Sequence, residues 1–105
     1  MEMLQRTEAP EGYFAGMLTG RGGFGVDSTG EPWLFFTALD HGVVEEALEL
    51  WGGHVTQKRN GHGTSRFKYT ARPERVEEIL EDLLPHLRGY KRERADELLE
   101  YLSSP

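Results

Sequence analysis

Apolar positions recur along the chain with two different periods, and each change of period marks an element boundary. Residues 1–9 show no period and read as a flexible leader, with one domain expected over 10–103. Pro10 suits a first helical turn, where a missing N–H costs little, and a short helix is expected from about 11 to 20. In "GGFGV", Phe24 and Val26 are spaced as on a strand, facing inward. "DSTGEP" has turn composition, and "WLFFTAL" is a strand whose two faces are both apolar, so its phase stays open. Asp40 is a plausible cap for "HGVVEEALELW", where Val43, Val44, Ala47, Leu48 and Trp51 share a helical face and Gly52-Gly53 ends the run. "HVTQKR" and "TSRFKYTA" flank "NGHG", in which Asn60-Gly61 is a hairpin-turn signal. Pro73 starts a further helix with Val76, Ile79, Leu80, Leu83, Leu84 and Leu87 inward. Gly89 breaks the chain, and a last helix is expected from about Lys91 to Leu102, with Ala95, Leu98, Leu99 and Leu102 inward.

The predicted order is α-β-β-α-β-β-α-α: an α+β fold whose four strands form one antiparallel or mixed sheet, covered by helices on one face. Alternation in the second hairpin puts Val55, Phe67 and Tyr69 under the helices. His54, Thr56, Lys58, Arg66, Lys68 and Thr70 then populate the open face. Gly23, Gly25 and Asp27 point outward from the first strand, and one of Trp33 or Phe35 is left exposed.

Charge sharpens this picture. The net charge of −6 alone argues against a polyanionic partner. Its distribution argues the other way: residues 58–75 hold six basic side chains (Lys58, Arg59, Arg66, Lys68, Arg72, Arg75) and one acidic, Glu74. Arg59 and Arg72 lie near strand ends, where they suit backbone phosphates, and Arg88, Lys91, Arg92 and Arg94 form a second basic group. A two-stranded ribbon fits a DNA major groove. The absence of cysteine removes disulfides, thiolate catalysis and cysteine metal sites. His41, His54, His62 and His86 lack close metal-ligand spacing, so neither metal nor cofactor is expected. "MEMLQRTEAP" has no apolar run, so neither a signal peptide nor a membrane span is expected, and the cytoplasm is the default location.

Gly12, Gly16 and Gly20 stack on one face of the first helix, with Ala15 and Thr19 beside them. Glycine costs roughly 1 kcal/mol in a helix interior, and close helix-to-helix packing compensates. The mate for such a helix is the same helix of a second copy, which predicts a two-fold dimer.

"YFAGMLTGRGGFGV" resembles the signature of the LAGLIDADG family, which includes homing endonucleases. Phe14 stands at the first leucine, Ala15-Gly16 at the Ala-Gly pair, Met17-Leu18 at the next two apolar positions, Gly22 at the final glycine and Phe24 at the following aromatic. The element order, Trp51-Gly52-Gly53 and "LLPHLRGYKRERADELLEYL" resemble the family too, over about residues 11–102. The resemblance implies a dimer packed through the signature helices, with two sheets forming a saddle in the major groove. It also implies a metal-binding acid at the base of each signature helix in members that cleave. Here Thr19 stands at the first aspartate and Arg21 at the metal-binding acid. Arginine supplies no oxygen ligand for Mg²⁺ and repels it, but it can meet a phosphate. Asp27, Glu31 and Asp40 are poorly placed as substitutes. The expectation is a homodimeric, non-cleaving binder of duplex DNA using Arg21, His54, Thr56, Lys58, Arg59, Arg66, Lys68, Arg72 and Lys91, with a regulatory role. The dimer would form through Gly12, Ala15, Gly16, Thr19 and Gly20. The alternatives are a dimeric protein-interaction module with an apolar patch around Trp33 and Phe35, and a residual metal-dependent homing endonuclease.

Overall fold

The computed structural model describes residues 10–59 and 65–104, with Pro10 and Glu11 described by their backbone only. The leader expected over 1–9 and the Asn60-Gly61 turn lie outside the described residues. The elements are α1 (Pro10–Arg21), β1 (Gly22–Val26), β2 (Pro32–Ala38), α2 (His41–Trp51), β3 (His54–Arg59), β4 (Ser65–Thr70), a 3₁₀ turn (Pro73–Arg75), α3 (Val76–Leu83), a second 3₁₀ turn (Leu84–His86) and α4 (Gly89–Ser103). Every strand pairing is antiparallel, in the order β1-β2-β4-β3. The chain is a single α+β domain with helices packed on one face of this sheet.

Local chemistry accounts for the boundaries. The Asp40 carboxylate accepts from the Gly42 N–H at 2.9 Å, capping α2. Gly52, at φ 72°, closes α2 by donating its N–H to the Leu48 carbonyl. Two boundaries differ from the sequence reading. Pro73 opens a 3₁₀ turn, and regular helix begins only at Val76. Gly89, at φ 58°, does not stand apart from the last helix but is its first residue, so α4 starts two residues before Lys91.

Strand alternation divides β2 cleanly. Leu34 and Phe36 are each 1% exposed in the core, while Trp33 and Phe35 share the open face. Phe24 is buried as expected, but Val26 is 40% exposed, because it ends β1 beyond the helical cover. An aromatic column ties the layers together. Phe14 of α1 meets the Trp51 ring edge-on at 5.2 Å and Phe36 at 5.8 Å, and Phe36 meets Tyr69 at 5.2 Å. Each such pair contributes about 0.5–1.5 kcal/mol beyond area burial. The Trp51 indole N–H donates to Asp82 at 3.3 Å, anchoring α2 against α3.

Tyr69 is fully buried, and its hydroxyl donates to the Gly52 carbonyl at 2.6 Å. Burial pushes its pKa up to about 12, against a smaller opposing pull from Arg75. The folded pKa thus lies above the ordinary phenol value of about 10. Its contribution to stability is complete below about pH 10 and is lost as the pH rises towards 12. Urea unfolding at about pH 9 and pH 11 is expected to show a drop in wild-type stability. Tyr69→Phe should have a smaller drop, after losing about 1 kcal/mol at the lower pH with its hydrogen bond. Equal drops in both proteins would assign the alkaline loss to other groups.

Candidate nucleic-acid interface

The register builds the open face row by row, because directly paired residues point the same way. Lys58 stands opposite Arg66. In the next row Thr37 of β2, Lys68 of β4 and Thr56 of β3 lie side by side. The Thr37 hydroxyl donates to the Arg21 carbonyl at 3.3 Å, which brings the end of α1 to the margin of this row. A third row holds Gly23, Phe35, Thr70 and His54, and Gly25 pairs with Trp33 beyond it. One end of the face is therefore cationic and the other aromatic. Lys68 Nζ joins them, 4.7 Å from the centroid of Phe35. The strand segments GGFGV, PWLFFTA, HVTQKR and SRFKYT contain no Asp or Glu.

His54, Thr56, Lys58, Arg66 and Lys68 are thus gathered on one exposed surface. The other four candidates lie outside its rows. Arg59 pairs with Ser65 one step out of phase with Lys58, which puts it on the helix-side face at the strand end. Lys91 lies at the free edge of β1: its ammonium donates to the Gly22 carbonyl at 3.1 Å and sits 5.6 Å from the Phe24 centroid. Arg72 is exposed just after β4, beside the Gly52 turn. Arg21 is exposed at the last position of α1.

The small residues of α1 divide in the same way. Gly12, Gly16, Thr19 and Gly20 are exposed along one strip, with Tyr13 at its border, 54% exposed. Ala15 is 1% exposed in the chain's own core, so it falls on the opposite side of the strip's edge and not within it. The Thr19 hydroxyl donates back to the Ala15 carbonyl at 2.8 Å. Among the described residues, a Cβ at Gly16 or Gly20 would meet no neighbouring atom within 4 Å. Gly22 is different: its Cβ would fall against the Phe35 carbonyl oxygen, so the α1–β1 junction admits only glycine. Gly23 and Gly25 lie under aromatic rings, where a Cβ would come 3.5 Å from Trp33 and 3.1 Å from it respectively.

The base of α1 does not suit a divalent cation. Arg21 offers no carboxylate there. Asp27 is engaged in the β1–β2 turn, where its Oδ1 accepts from the Thr29 hydroxyl at 2.6 Å and from the Thr29 and Glu31 N–H groups at 2.9 and 3.0 Å. The Thr29 hydroxyl above all, with those N–H groups, holds the Asp27 pKa below the ordinary carboxylate value. Among the described residues no group of three or more His, Asp or Glu side chains is placed to hold a metal ion. None of the described helices is long and apolar enough to cross a membrane.

No protein-family model matches the chain, and no curated protein matches it significantly. Solved structures do. The homing endonuclease I-CvuI, bound to the I-CreI target with magnesium present and the DNA not cleaved, aligns with a TM-score of 0.57 at 20% identity, covering 86% of this chain and 63% of that one. The same endonuclease with its own target and calcium gives 0.56 at 21% identity, with the same coverage. The chain accordingly has the fold of the LAGLIDADG homing endonucleases at low sequence identity, and spans 63% of the endonuclease chain's length.

Proposed function

We propose that the chain binds double-stranded DNA as a homodimer, without cleaving it, and that each copy presents its open sheet face to the duplex. The observation that carries this reading is the charge of that face. Lys58, Arg66 and Lys68 occupy neighbouring positions on strands that hold no carboxylate, in a protein whose net charge is −6. The acids have been kept to helices and turns. Fold likeness to an endonuclease in complex with a DNA target supports DNA as the partner. Arg21, at the end of α1, is suited to a phosphate and not to a metal. The homodimer is supported by the exposed glycine strip, since nothing among the described residues accounts for glycine at positions 16 and 20. Such a protein would act by occupying a site, as a transcriptional regulator does.

The test is fluorescence anisotropy of a labelled mixed-sequence duplex, titrated at low and near-physiological salt without divalent metal. The expected result is binding that weakens steeply with salt, since Lys and Arg displace counterions from phosphates. Magnesium should then produce no cleavage of a plasmid library. Absence of binding at low salt by folded protein would remove the reading. Exposed Trp33, stacked on Phe35, favours a second one: a protein-interaction module that uses this aromatic end as an apolar docking patch.

A further inference from the structure

A separate cleft of about 250 Å³ opens where the aromatic end of the sheet meets the first turn of α4, lined by Gly23, Phe24, Trp33, Tyr90, Lys91 and Arg94. Its walls combine flat rings with cations, and no carboxylate among the described residues lines it. Trp33 is 40% exposed and lies nearly parallel to Phe35, with ring centroids 6.0 Å apart and planes at 23°. It rests on Gly23 and Gly25, so β1 lies flush beneath the indole. Arg94 donates to the Tyr90 hydroxyl at 2.8 Å, which holds its guanidinium beside the cleft. Lys91 uses one of its three donors on Gly22, leaving two. Among the described residues neither cation forms an ion pair.

We infer that this cleft takes one unpaired nucleobase, stacked on Trp33, with Lys91 and Arg94 meeting the flanking phosphates. The inference rests on the nucleic-acid reading of the open face and deepens it. A ligand that complements both an exposed aromatic ring and cations left without an ion pair among the described residues is itself planar and anionic. Aromatic side chains flanked by cations are how proteins hold bases that have left the stack. The volume lies below the ~300–1,000 Å³ of clefts that enclose whole small molecules, which suits a single flat ring system projecting from a polymer. A paired base within an intact duplex cannot enter it. The cleft therefore discriminates distorted DNA, carrying an extruded or unpaired nucleotide, from regular duplex.

Two labelled duplexes of one sequence test this, one intact and one with a single unpaired adenine, titrated with wild type, Trp33→Ala and Trp33→Phe. Wild type is expected to bind the bulged duplex about tenfold more tightly and to lose Trp33 fluorescence as it does so, with buried Trp51 as the constant background. Trp33→Ala should lose that tenfold preference, so that the bulged and intact duplexes bind alike, while Trp33→Phe keeps most of it. Equal wild-type affinity for the two duplexes, or an equal loss on both with Trp33→Ala, overturns the base cleft and leaves duplex binding standing. No binding of either duplex overturns both.

Discussion

Reversing the two central cations of the open face, Arg66→Glu with Lys68→Glu, is expected to lower duplex-DNA affinity by about a hundredfold or more at low salt. Both side chains are exposed on β4, an interior strand flanked by β2 and β3, so a duplex lying on the sheet passes over them. The strands carry no carboxylate, so the substitution introduces the first negative charges on that surface. In a dimer it acts at four positions. Each lost phosphate contact lowers the slope of log affinity against log salt by about 0.9, so the slope should fall by roughly three to four. The fold should survive, since neither residue is in the core. Far-UV circular dichroism checks that, and salt-dependent anisotropy measures the effect. An unchanged slope would move the phosphate-contacting surface away from β4.

This face was legible in the sequence wherever its strands alternate. In "SRFKYT" Phe67 and Tyr69 alternate with polar residues, and in "HVTQKR" Val55 sets the phase, so the shared face of Thr56, Lys58, Arg66 and Lys68 follows from pattern, while the pairing of Lys58 with Arg66 and of Thr56 with Lys68 is visible only in the structure. "WLFFTA" is apolar at nearly every position and carries no phase. The choice was made by its neighbour: Gly23 and Gly25 leave room for Trp33 and Phe35 on the open side, and no side chain there competes for it. That is a cross-strand effect, invisible within β2. Lys91 escaped for a related reason. Its partner, the Gly22 carbonyl, is 69 residues away and is a backbone atom of an edge strand, which leaves no trace in side-chain chemistry. Ala15 shows the limit of helical spacing. A small residue at the margin of a stripe reads equally as stripe or core, and Phe14 and Leu18 on either side carry it inward. The base cleft joins residues of β1, β2 and α4, and only the basic cluster at 88–94 hinted at it.

Gly16→Leu is expected to weaken self-association by about two orders of magnitude while leaving the isolated chain at least as stable. The two halves of this expectation come from different physics. Among the described residues, a Cβ at position 16 meets no neighbouring atom within 4 Å. Leucine also gains most of the ~0.8–1.0 kcal/mol by which glycine falls short of alanine in a helix. A monomer should therefore fold normally or better. Gly16 sits between exposed Gly12 and Gly20, and in the proposed dimer the backbones of two such helices can approach closely only while the strip stays flat. An isobutyl group on each copy is met twice across a two-fold axis, so the overpacking of about 1–3 kcal/mol per site is doubled. Sedimentation equilibrium measures the association, and thermal unfolding of the dilute monomer measures the fold. Gly16→Ala should fall between wild type and leucine in the first measurement and gain stability in the second. If association is unchanged in the leucine variant, the glycine strip is not the dimer seam. The loss of helix propensity at Gly16 and Gly20 would then have no packing reason among the described residues.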